Sequence, residues 1–139
     1  MLPRNYFYIS IFSLILLILT SCGKTPSRAL DSGFVHTVYF WLQDPDNPED
    51  RQAFEASLLK FMEASGHVQS YMLGTPPTAT REVVRDDFTY SLTVLFADAA
   101  AQQAYQDEEA HLLFIDESES LWKKVEVNDA VSLSIQPND

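Results

Sequence analysis

The run Phe34–Leu42, Phe-Val-His-Thr-Val-Tyr-Phe-Trp-Leu, constrains this chain more than any other stretch. Its β-branched and aromatic residues alternate as in a strand, with His36, Val38, Phe40 and Leu42 on one side and Val35, Thr37, Tyr39 and Trp41 on the other. Both sides are largely apolar, so a sheet built on this strand needs cover on both faces. Helices of the same chain can supply one cover. A second copy of the sheet is expected to supply the other.

The following segments fit such a sheet. Asp46-Asn47-Pro48 opens a helix, with Asn47 as N-cap and Pro48 in the first turn. Phe54, Leu58, Phe61 and Met62 form its buried stripe, and Gly66 is expected to end it. His67–Leu73 reads as a second strand, with His67 in a structural role. Gly74–Asp87, with Pro76 and Pro77, is a long connection. Phe88–Phe96 reads as a third strand, with Phe88, Tyr90, Leu92, Val94 and Phe96 on one face. Asp98 can cap a short helix through Tyr105, and Val125–Ile135 alternates as a last strand. The order β-α-β-β-α-β predicts an α+β, ferredoxin-like domain over residues 33–136.

Between the short helix and the last strand, a helix is expected from about Glu109. It would place His111, Phe114, Ile115, Ser118 and Trp122 on one face, at steps of three and four. Asp116, Glu117 and Glu119 fall on the wet side. An imidazole at the start of the apolar face is the feature that composition alone does not explain.

The N-terminal segment has its own logic. Arg4 precedes the almost wholly apolar Tyr6–Leu19, which is short for a membrane span of roughly 20 residues but right for a signal-peptide core. Leu19-Thr20-Ser21-Cys22 then matches the bacterial lipobox. The resemblance implies a signal peptide over residues 1–21 and an acylated (palmitate-bearing) Cys22. Residues 22–32 would form the anchor and tether in the bacterial cell envelope. By resemblance to Gram-negative lipoproteins, Gly23 rather than Asp after the cysteine implies the outer membrane if the cell is Gram-negative. Cys22 is the only cysteine, so it can form no internal disulfide. With 20 acidic and 9 basic residues the net charge is −11, which argues against nucleic acid and against electrostatic docking on anionic lipid.

Read together, Val35-His36-Thr37-Val38-Tyr39-Phe40, Leu92-Thr93-Val94-Leu95-Phe96-Ala97-Asp98, Ala104-Tyr105 and Ala110-His111-Leu112-Leu113-Phe114 resemble the stress-responsive A/B barrel (Dabb) family. The resemblance implies a homodimeric α/β barrel in which two sheets face each other. Plant polyketide cyclases of that family carry an acid–base pair, matched here by His36 and His111, with a tyrosine matched by Tyr105. Their apolar pocket lining is matched by Val38, Phe40, Phe54, Leu58, Leu92, Phe114 and Trp122; Leu58 makes the lining less polar. The family's His-Pro-x-His becomes Glu108-Glu109-Ala110-His111, which removes a proline and places carboxylates beside the pocket.

The resemblance implies a lyase or isomerase that moves a proton next to a carbonyl, without metal or cofactor. His111 would be the general base, His36 would donate to the enolate oxygen, and Tyr105 would hold the His111 tautomer by a hydrogen bond and return a proton. The alternatives are a non-catalytic dimer holding a small apolar or aromatic ligand, and a stress-associated structural homodimer with a filled interior. A cavity of roughly 300 Å³ or more beside both histidines keeps the first two open, and a solid core leaves only the third.

Overall fold

The structure is a computed structural model in which residue 30 and residues 32–133 are described. The sheet and its helices lie within one unit of the chain, Asp31–Asp139. The expected signal segment, Cys22 and most of the tether lie outside the described residues, as does Ile135. Among the described residues, no helix is long and apolar enough to cross a membrane.

The strand expected at the start forms over Phe34–Leu42 (β1), and helix Pro48–Ala64 (α1) follows it. Asn47 caps α1 by accepting the Glu49 and Asp50 amides at 2.9 and 3.4 Å, and both acids lie at the positive end of the helix dipole. The helix stops at Ser65, in extended conformation, with its amide on the Phe61 carbonyl. Gly66 is not a left-handed cap. Ser70–Gly74 (β2) starts three residues later than expected. Tyr90–Phe96 (β3), Ala99–Asp107 (α2) and Glu109–Ser118 (α3) come next, then a 3₁₀ turn at Glu119–Leu121 and strand Trp122–Val131 (β4). Asp98 caps α2 through the Ala101 amide at 2.8 Å.

The sheet order is β2-β3-β1-β4, with every neighbouring pair antiparallel. β1 and β2 therefore run parallel on either side of β3, and β3 and β4 on either side of β1. Parallel strands need crossovers, which α1 and the α2–α3 pair supply. The fold is the expected α+β, ferredoxin-like one, with the second crossover split into two helices.

The helices cover the sheet face of His36, Val38 and Phe40. Phe54 of α1 packs on Phe40 and Tyr90, both with ring centroids at 5.0 Å, and Phe61 stacks on Tyr105 at 4.9 Å and Phe114 at 5.4 Å. Each aromatic ring buried this fully contributes about 1.5–3 kcal/mol. α1 is also tied to α3 by charge: the Ser57 hydroxyl and the Lys60 ammonium both donate to Glu117, at 2.7 and 2.6 Å.

Three expectations about the sheet need correction. β3 begins at Tyr90, because Thr89 is turned to β1, where its hydroxyl accepts the Leu42 amide at 3.0 Å beside the register shift at Trp41/Leu42. Phe88 consequently leaves the helix-facing side and packs on Tyr39 at 4.9 Å. β4 begins at Trp122 rather than Val125, and that residue is extended, so it belongs to the strand and not to the helix face of His111. Finally, the outer face is partly covered by the chain itself. Arg85, from the long connection, lies over Trp41 at 4.8 Å, and Lys124 lies over the same ring at 4.2 Å. Both cations pair with Glu126 at 2.5 Å. The rest of that face, around Val35, Thr37, Thr93 and Leu95, stays half-buried, and Met72 is exposed.

Candidate functional site

The joint between α2 and α3 builds the site. Glu108 is extended, so α2 ends at Asp107 and its last carbonyls lose their helical partners. One of them, the Gln106 carbonyl, accepts a hydrogen bond from His111 Nδ1 at 3.0 Å. His111 stands in the first turn of α3, where its own amide bonds the Glu108 carbonyl at 3.1 Å. A carbonyl can only accept, so Nδ1 carries the proton and Nε2 keeps a free lone pair. Burial lowers the His111 pKa from 6.5; the Gln106 bond, which raises it, is outweighed. The positive end of α3 also disfavours a cation there. The ring is therefore neutral near pH 7, with the basic nitrogen defined.

β1 contributes the second imidazole. His36 is buried and donates from Nδ1 to Asp129 Oδ1 at 2.6 Å. Asp129 is its register partner on β4, so the two side chains share a sheet face. The carboxylate side chain is 41% exposed, which places it where the site meets solvent.

Tyr105 of α2 joins the two. Its ring is 5.9 Å from that of His36 and 5.2 Å from that of His111. Burial, and secondarily the Glu108 carboxylate, push its phenol well above the ordinary value, so it stays protonated. Among the described residues its hydroxyl makes no hydrogen bond to His111. The orienting role expected of Tyr105 falls to the Gln106 carbonyl: the tyrosine ring packs beside the imidazole, and the broken helix end supplies the acceptor.

The two imidazoles and the Tyr105 ring open on one cavity of about 270 Å³, while Asp129 stands outside its lining. His36, Tyr105 and His111 line it, as do Val38, Phe40, Leu92, Phe114 and Trp122 of the expected apolar set. Phe54 and Leu58 do not line it. Both are fully buried, and Phe54 stands behind the lining, against Phe40, Phe114 and Trp122. Gln106, Ile115, Val125 and Val127 complete the wall. The volume falls a little short of the roughly 300 Å³ typical of small-molecule sites, and the lining has their mix of apolar walls with a few convergent polar groups. Among the described residues, no three His, Cys, Asp or Glu side chains gather as a metal site.

Asp129 and Gln106 are not among the residues that the sequence pattern singles out. Asp129 had a signal: in Val125, Val127, Asp129 and Val131 it is the one carboxylate in the inward phase of a valine strand. Gln106 had none, since its backbone acts rather than its side chain.

Comparison with known proteins agrees with this architecture. A search of curated proteins finds no match. A Dabb-family protein of Mesorhizobium loti with a ferredoxin-like fold superposes with a TM-score of 0.61 at 22% identity, covering 73% of this chain and 97% of its own. The hydroxynitrile lyase of Passiflora edulis gives 0.63 at 16% identity, covering 78% and 100%. A dimeric ferredoxin-like protein of unknown function from Thermobifida fusca gives 0.58 at 14%, again covering 78% and 100%. At these identities the likeness is one of fold. The family model described as "Stress responsive A/B Barrel Domain" matches residues 34–132, the greater part of the chain, and the chain belongs to that family.

Proposed function

We propose that this protein is a lipid-anchored, homodimeric A/B barrel domain whose cavity binds a small carbonyl compound and moves a proton at the carbon beside the carbonyl. One observation carries the reading. His111 Nδ1 is committed to the Gln106 carbonyl, so Nε2 is left free as a base within a cavity that also holds His36 and Tyr105. In this reading Nε2 takes the C–H proton, and the electron pair moves onto the carbonyl oxygen as an enolate. The protonated Tyr105 hydroxyl and, when protonated, His36 Nε2 are the donors available to that oxygen. Asp129 holds His36 by its other nitrogen. Proton return to the oxygen or to a different carbon completes an isomerisation.

Dimerisation is supported by the uncovered part of the outer sheet face and by the dimeric description of the Thermobifida relative. The anchor is supported by Leu19-Thr20-Ser21-Cys22, and by Gly23 for an outer-membrane destination.

The test is hydrogen–deuterium exchange at the methyl group of an aryl methyl ketone in D₂O, followed by NMR. The wild-type chain accelerates exchange, and His111→Ala removes the acceleration by about 10²-fold or more while ketone binding persists. Binding without any accelerated exchange would leave a ligand-holding domain and no enzyme.

A further inference from the structure

The charged groups around this cavity bear on what it can accept. Among the described residues, no lysine or arginine lines it. Most cations of the described region are engaged elsewhere: Lys60 with Glu117, Arg85 with Glu126 and Asp87, Lys124 with Glu126, and Arg51 over the Tyr90 ring. Two carboxylates stand behind the polar end, next to its lining residues rather than among them. Asp129 is bonded to His36, and Glu108 immediately precedes the α3 turn that carries His111. Glu108 Oε1 is buried and has no hydrogen-bond partner among the described residues. Even with His36 protonated, its pair with Asp129 is only neutral. With His111 neutral, nothing at the polar end offsets the charge of a bound anion. The remaining walls are hydrocarbon and aromatic, where an unpaired anion is costly to desolvate. The chain as a whole carries −11, which adds a repulsive far field.

We infer that this site selects uncharged carbonyl compounds and turns away carboxylates, phosphates and thioesters with a phosphorylated tail. The specificity-determining groups are Asp129 and Glu108. The inference rests on reading the cavity as a ligand site. It goes further in naming which half of carbonyl chemistry is admitted: ketones and aldehydes of about one or two rings, rather than keto acids or coenzyme-linked acyl groups.

The experiment is calorimetric titration of the full chain with two flat probes of nearly equal size, 2-acetonaphthone and 2-naphthoate. At about pH 7.5 the naphthoate is fully ionised. The ketone is expected to bind at least about tenfold more tightly. Raising NaCl from about 20 mM to about 500 mM should narrow the ratio, because exposed charge is screened. Asp129→Asn and Glu108→Gln, singly and together, should narrow it further by strengthening naphthoate binding, about threefold or more for the pair. Equal or tighter binding of naphthoate to the wild-type chain overturns charge selection alone. So does a ratio unmoved by salt and by the double variant. Failure of both probes to bind overturns the cavity as a ligand site, and the proposed function with it.

Discussion

His111 shows how a single backbone break sets a side chain's chemistry. Because α2 ends at Asp107, the Gln106 carbonyl is free to fix the imidazole, and burial keeps that imidazole neutral. The same burial makes stability depend on pH. The folded pKa of His111 lies below the 6.5 of the unfolded chain, so between the two values the unfolded state binds more protons. That contribution is complete above 6.5 and is lost as pH falls through 6.5 toward the folded value. Glu117, held low by Lys60 and then Ser57, and Glu126, held at about 2 by Arg85 and then Lys124, act later. Their contributions are present above the ordinary 4.5 and fade as pH falls through the folded values. Thermal unfolding followed by circular dichroism is therefore expected to show a decline in Tm that begins below about pH 6.5. His111→Gln should delay its onset to the carboxylate range. An onset unchanged in the variant would show that His111 is not the group responsible.

At the scale of elements, β1 is held tightly where it enters the sheet. The Gly33 amide donates to the Phe96 carbonyl at 3.1 Å, and a Cβ added at Gly33 would stand 2.0 Å from the Ala97 carbonyl oxygen. That oxygen belongs to the backbone leading into α2, so it cannot swing aside. Gly33→Ala is expected to cost about 1–3 kcal/mol in chemical denaturation, without changing the denaturant slope. A cost near zero would mean that the β1 entry is looser than described.

Much of this level was legible in the sequence, for identifiable reasons. Alternation placed β1 over Phe34–Leu42, and Asn47-Pro48 and Asp98 announced the starts of α1 and α2. Sequence pattern misleads where tertiary contacts override it. Thr89 satisfies the Leu42 amide across a register shift and so turns Phe88 outward. Trp122 keeps helical spacing from His111 and Phe114 in the sequence, but Ser118-Glu119-Ser120 is poor helix sequence and the chain tightens to 3₁₀ before it. Trp122 reaches the cavity all the same, from the strand. At the site, His111 stood out from helical spacing, while its grouping with His36 and Tyr105 came from family resemblance. Asp129 is marked by the alternation of its strand, but its pairing with His36 depends on the β1–β4 register; Gln106 depends on the helix break, which no local pattern encodes.

For the whole molecule, the uneven cover of the sheet is the controlling feature. Arg85, Lys124 and Phe88 close one corner of the outer face over Trp41 and Tyr39, while the Thr93 and Leu95 side remains for a partner. Light scattering on size-exclusion-purified protein should give twice the chain mass. Leu95→Asp is expected to shift it to monomer, because a carboxylate buried between two apolar sheets costs several kcal/mol per dimer and appears twice by symmetry. A Leu95→Asp protein that stays dimeric would place the interface elsewhere. The His36 and His111 cavity lies on the opposite face, so its ligand binding should survive this change.

Long-range proton–nitrogen correlation NMR of the His111 ring near pH 7.5 tests the base assignment most directly. The spectrum should show Nδ1 protonated and Nε2 carrying a free lone pair, with His111→Ala identifying the signals. A ring protonated at Nε2 would contradict the bond to the Gln106 carbonyl, and with it the base on which the proposed proton transfer depends.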